Sequence, residues 1–146
     1  MLNNITTLAT SLRQHLPFLP SNHENNDIAP YYRNHVAAIT GAGSGMGREL
    51  ALHLAKMGCH VALSDINAEQ LAQTKEMLVG YDIEATTTVL DVSDNQAMQA
   101  WADSVMSNHG KVHFIFNNAG VAFSSTIEGA SIEELEWVMD INTSEI

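Results

Sequence analysis

From residue 35 onward short apolar runs alternate with helical stripes, and this alternation leaves few folds open to the chain. "HVAAIT" (35–40) is an apolar run that ends in a glycine-rich loop. Met46, Leu50, Leu54 and Met57 then recur at helical spacing, as packing residues would, and Gly58 stands where a C-cap belongs. "HVALSD" (60–65) is the next run. Asn67 with Gln70 opens a helix whose inner face carries Leu71 and Leu78, before Gly80. "EATTTVLDV" is β-branched and reads as a third strand. Ser93 with Gln96 starts a helix carrying Met98, Trp101 and Val105, and Gly110 ends it. "KVHFIFNN" reads as a fourth strand. Ser131 and Glu134 make a capping-box pattern ahead of an inward stripe of Leu135, Val138, Met139 and Asn142. Strand–helix alternation predicts a parallel α/β sheet with helices on both faces. Strands apolar at successive positions fit that burial on two sides.

The first strand–helix turn contains Gly41, Gly43, Gly45 and Gly47 in "ITGAGSGMGREL". The literal Gly-x-Gly-x-x-Gly fingerprint fails, because Met46 and Arg48 stand where its third glycine would fall. The spacing that remains is Gly-x-x-x-Gly-x-Gly. A helix N-terminus presents unpaired N–H groups and a positive dipole end, so it attracts phosphate. Side chains in the turn would keep a pyrophosphate at a distance. Asp65 ends the second strand, where a carboxylate can accept both hydroxyls of an adenosine ribose and repel a 2′-phosphate.

Composition narrows the partners. The net charge of −11 disfavours nucleic acid and anionic membranes, whose phosphates need clustered Lys and Arg. An apolar content of 45% fits a globular domain rather than a disordered chain. The single cysteine, Cys59, cannot form an internal disulfide and reads as a small buried hydrophobe. No stretch nears the roughly 20 apolar residues of a membrane span, and no secretory signal is visible, so a cytoplasmic location is expected. His109 and His113 are interrupted by Gly110, and no metal site is expected. Glu133, Glu134 and Glu136 read as a solvated helix face. Residues 1–34 read as an extension: all three prolines lie there, and Ile5, Leu8, Leu12 and Leu16 suggest a short amphipathic helix. Residues 35–146 read as a dinucleotide-binding domain.

Four motifs in order resemble the classical short-chain dehydrogenases/reductases: "TGAGSGMG", Asp65 at the end of strand two, "DV" (Asp91, Val92) after strand three and "NNAG" after strand four. The resemblance covers roughly residues 35 to 142. It implies a Rossmann-like, doubly wound parallel sheet of order 3-2-1-4, stopping after about four strands. It implies an NAD(P)-dependent oxidoreductase acting on an alcohol or carbonyl, with NAD preferred because of Asp65, and a homo-oligomer in a full-length form. By the resemblance, Thr40, Gly41, Gly43, Ser44, Gly45, Met46 and Gly47 form the cofactor loop, and Asp65 and Ile66 flank the adenosine ribose. Asp91 would bond the adenine amino group and Val92 would contact the ring through its backbone. Asn117, Asn118, Ala119 and Gly120 would close the cleft, and Asn142 matches the asparagine that helps hold a proton-relay water.

Singly, each has a structural reading: Asp91 and Ser93 as helix caps, "NNAG" as a turn, Asn142 as a core amide. The family's hydride chemistry uses a serine and a Tyr-x-x-x-Lys pair. Here Tyr31, Tyr32 and Tyr81 are followed, four residues on, by His35, Val36 and Ala85. The expectation is therefore a cofactor-binding half, inactive alone, with a non-catalytic NAD-binding or subunit-pairing module as the alternative. Of the substrate pocket, only the region of Phe123 falls within these residues.

Overall fold

The computed structural model describes residues 28–122, 124, 126 and 129–143. The expected N-terminal helix, Phe123 and the final "SEI" lie outside the described residues. In chain order the elements are α1 (Ala29–Tyr32), β1 (Val36–Ile39), α2 (Gly45–Lys56), β2 (His60–Asp65), α3 (Ala68–Met77), β3 (Ala85–Val89), α4 (Asn95–His109), β4 (Phe114–Phe116) and α5 (Ile132–Asn142). The strands form one parallel sheet in the order β3-β2-β1-β4, as expected.

The central strands show why their sequence is apolar at every position. Along β1 and β2, Ala37, Ile39, Val61 and Leu63 face a cluster built with Ala51, Leu54 and Ala55 of α2 and Leu71 of α3. The intervening Ala38 and Ala62 face the opposite way, onto Met98, Trp101 and Val105 of α4. Period-two alternation thus distributes one strand between two cores. Cys59 is fully buried, and that burial pushes its thiol pKa up to about 11.

Local signals set most of the boundaries. The Asn67 side chain accepts the Gln70 amide at 3.0 Å and opens α3. Ser131 and Glu134 form a complete capping box on α5. Gly58 and Gly110 end their helices at positive φ, 81° and 73°.

Several expectations are corrected. Asp94, not Ser93, caps α4, accepting the amides of Gln96 and Ala97. Ser93 is drawn back to Asp91, whose Oδ1 accepts its N–H at 2.9 Å and its hydroxyl at 2.7 Å. β4 is limited to three residues, and beyond it Asn118 turns back to bond the β1 end of the glycine loop. Met46 is 82% exposed rather than packed, since it sits in the first turn of α2 where the helix has left the core. Met57 does pack against the core. On α5 no residue is buried: Leu135 and Met139 are about half exposed, and Asn142 is exposed.

Candidate dinucleotide-binding groove

The end of β1 is stitched to the chain beyond β4. The Thr40 hydroxyl oxygen accepts the N–H groups of Asn118 and Ala119, both at 3.0 Å. In return, the Asn118 side-chain amide donates to the carbonyls of Thr40 (3.0 Å) and Gly41 (3.1 Å). Thr40 is 2% exposed, so its hydroxyl is spent inside this joint.

The loop that follows folds tightly on itself. A Cβ at Gly47 would lie 2.2 Å from the Gly41 carbonyl oxygen and 2.5 Å from the Asn118 amide nitrogen, a space that only glycine fits. Gly43 donates its N–H to Asp65 Oδ2 at 2.7 Å, and a Cβ there would meet that carboxylate at 2.8 Å. Gly45 differs: it has φ +52°, and no atom lies within 4 Å of where its Cβ would be. Two of these glycines are thus required by internal packing, and Gly45 by backbone conformation beside open space.

Asp65 is held from both sides. Its Oδ1 accepts the Asn67 N–H at 2.8 Å while Oδ2 takes Gly43. Each carboxylate oxygen has two lone pairs, so each keeps acceptor capacity for a further donor. The chain therefore aims the carboxylate without exhausting it.

These parts border one groove of about 350 Å³ at the carboxyl ends of the strands. Gly41, Ser44, Gly45, Met46, Asp65, Ile66, Asp91, Val92, Asn118, Ala119 and Gly120 line it. Thr40, Gly43, Gly47 and Asn117 do not; the first three lie behind the surface and shape it. Leu90, Val121 and Ile141 also line the groove, and the sequence analysis missed them. Leu90 adjoins the Asp91–Val92 pair and carries a weak signal, whereas Val121 and Ile141 arrive only through the return of the chain. The charged side chains among the lining residues are Asp65 and Asp91.

Asn142 stands at the rim. Its Oδ1 accepts the Val121 N–H and its Nδ2 donates to the Val121 carbonyl, each at 2.9 Å. Tyr31 and Tyr32 lie elsewhere, beside Phe114. Among the described residues no cluster of three or more His, Cys, Asp or Glu is arranged to hold a metal ion, and no helix is long and apolar enough to cross a membrane.

The groove's donor set suits a dinucleotide. The first amides of an α-helix lack intrahelical partners, and the Ser44 hydroxyl makes no cap bond to those of α2. Open space at Gly45 allows an anion to approach them. Carboxylates at Asp65 and Asp91 suit hydroxyl and amino donors, and Ile66 and Val92 offer apolar surface to a ring.

The chain is similar in sequence and fold to known proteins of one family. Residues 35–145 match the family model for short chain dehydrogenase. A putative oxidoreductase, SadH, of Mycobacterium tuberculosis is 36% identical over 111 residues, which are 76% of this chain and 40% of that protein. The levodione reductase of Leifsonia aquatica is 34% identical over 114 residues, 76% of this chain and 43% of the reductase. The crystal structure of an NAD+-bound xylitol dehydrogenase superposes with a TM-score of 0.73 at 33% identity, over 76% of this chain and 43% of that one. A metagenomic short-chain oxidoreductase in complex with NADP superposes with a TM-score of 0.71 at 30% identity, over 75% of this chain and 50% of that one. The chain spans about two fifths of the length of SadH and of the levodione reductase, and less than a fifth of the probable oxidoreductase EphD of Mycobacterium tuberculosis, which is 34% identical over 112 residues. By the family match over residues 35–145, this chain belongs to the short-chain dehydrogenase family.

Proposed function

We propose that the chain binds the adenosine diphosphate half of a nicotinamide dinucleotide and contributes that half of the site to an oxidoreductase acting on an alcohol or carbonyl. The observation that carries this reading is that the loop, Asp65, Asp91–Val92 and Asn118–Gly120 border one groove. Amides of Ser44, Gly45 and Met46 would bond the pyrophosphate, whose charge the helix dipole favours. Asp65 would accept the ribose hydroxyls, with Ile66 beside it. Asp91 would accept the adenine amino group, and Val92 would contact the ring. Gly41, Asn118, Ala119 and Gly120 would wall the cleft, while Thr40, Gly43 and Gly47 hold its shape. When bound, the nicotinamide supplies the hydride acceptor or donor.

NAD is favoured over NADP, because a 2′-phosphate would meet the Asp65 carboxylate. No cationic side chain among the groove-lining residues offsets that repulsion. The 146 residues hold no Tyr-x-x-x-Lys to move the substrate proton, so they carry no turnover by themselves. Asn142, whose amide is bonded to Val121, braces the rim and would hold a water only through its remaining capacity.

Calorimetric titration tests this reading. NAD should bind more tightly than NADP, and Asp65→Ala should weaken NAD by about tenfold and narrow the gap between the two. Failure of the wild-type chain to bind either dinucleotide would overturn the reading. NADH formation by the purified chain with a panel of alcohols would refute its inactivity.

A further inference from the structure

Arg48 follows the last glycine of the loop, and its guanidinium turns backward, away from the groove-lining residues. Its Nε donates to the Thr74 hydroxyl oxygen at 2.9 Å. Its Nη2 donates to the Gly43 carbonyl, and lies 3.2 Å from the Gln70 carbonyl and 3.4 Å from Gln73 Oε1. Thr74 is fully buried on α3, with its hydroxyl 2.9 Å from the Ala42 carbonyl and 3.2 Å from that of Gly43. The same hydroxyl lies 3.1 Å from the Gln70 carbonyl, so its one proton serves one of three acceptors; the Gly43 carbonyl has Arg48 Nη2 as a donor in any case, while the Gly43 N–H is gripped by Asp65.

The consequence lies in the next peptide group. A peptide bond is planar and trans, so the Ser44 N–H points opposite to the Gly43 C=O. Drawing that carbonyl toward Arg48 and Thr74 turns the Ser44 amide away from α3, and Ser44 itself lines the groove. We infer that Arg48, seated on Thr74, is a positioning residue that aims the first phosphate-binding amide of the loop. The inference rests on the dinucleotide reading above. It assigns Arg48 a selective effect: the diphosphate loses affinity when the brace is cut, whereas the nucleoside, held by Asp65 and Asp91, does not. A planar fork is needed to reach a hydroxyl and a carbonyl together, so lysine is only a partial substitute.

The test compares ADP with adenosine, titrated into ¹⁵N-labelled protein. Arg48→Met should weaken ADP by about tenfold and change adenosine by less than about twofold. Arg48→Lys should fall between. Thr74→Val removes the acceptor for Nε together with the hydroxyl's own contacts to the loop, so a double-mutant cycle of Arg48→Lys with Thr74→Val decides the matter if Arg48→Met does not fold: losses in ADP affinity that do not add support the joint brace, and additive losses overturn it. Unchanged ADP affinity, or equal loss for both ligands, would overturn the positioning role while leaving the binding reading intact. A wild-type chain that binds neither ligand would defeat the binding reading and this inference with it.

Discussion

At the carboxyl ends of the strands, the glycine loop, Asp65 and Asp91 surround an open groove; at the amino ends, His35, His60, His113, Tyr31 and Tyr32 fill the corresponding edge. Both ends face the same problem, which is to satisfy backbone amides where the ladder stops. At the amino end the partners are side chains of neighbouring segments. His113 Nδ1 accepts the Val36 N–H at 2.9 Å, and His60 Nδ1 accepts the Glu84 N–H at 2.8 Å. Phe114 packs beside Tyr31, Tyr32 and His35. At the carboxyl end the loop's glycines keep side chains out, which leaves room for an external partner. One end is closed by internal acceptors, and the other is shaped to receive a ligand.

The largest expected effect comes from overpacking the loop behind the open end. Gly47→Ala would press a Cβ against the Gly41 carbonyl, a backbone atom that cannot swing aside. A loss of about 3 kcal/mol is expected in urea unfolding, together with loss of ADP binding. Gly45→Ala, beside open space, should cost only about 1–2 kcal/mol, for its left-handed backbone alone. Equal costs at the two positions would mean that the loop is not packed as described. Asn118→Ala removes two donors to the carbonyls of Thr40 and Gly41, and about 1–3 kcal/mol should be lost in the same measurement.

The closed end should respond to pH instead. The His113 pKa is held below the ordinary histidine value by desolvation, with His35 and Lys111 adding in the same direction. His109 is lowered by desolvation and by His60, with Glu84 opposing. A histidine whose folded pKa is depressed binds its proton more readily in the unfolded chain. Its stabilising contribution is therefore full above pH about 6.5 and is lost as pH falls below that value. A further reason is geometric, since a protonated Nδ1 cannot accept the Val36 amide. The melting temperature should decline between neutral and mildly acidic pH, and His113→Gln should make that decline shallower. An unaltered slope would remove His113 from the explanation. The smallest effect is expected at the rim: Asn142→Ala breaks two exposed bonds to Val121 and should cost about 1 kcal/mol or less in thermal melts.

Much of this contrast was legible before folding, though unevenly. β2 spans the apolar run from His60 to Asp65, because central strands buried on both faces need apolar residues at nearly every position. The caps at Asn67, Ser131 and Gly110 were readable because each acts within four residues of itself. Met46 was misjudged for the converse reason: helical spacing gives a face, but not how far along the helix the core extends. The stripe on α5 failed similarly, since periodicity cannot say whether anything packs over it. Of the amino-end histidines only His113 drew notice, as a possible metal ligand; the pairing of His113 and His60 with strand-start amides joins residues 77 positions apart in one case and 24 in the other.

The sequence by itself determined the order of elements, the parallel sheet, the family and the loop that opens α2, because periodicity, capping and turn chemistry are written in neighbouring residues. Tertiary structure alone decided which glycine is filled by a carbonyl and which faces open space, that Arg48 reaches back to Thr74, and that imidazoles close the amino ends. Those outcomes depend on distances between residues remote in the chain, which are set only when the strands pair and the helices close over them.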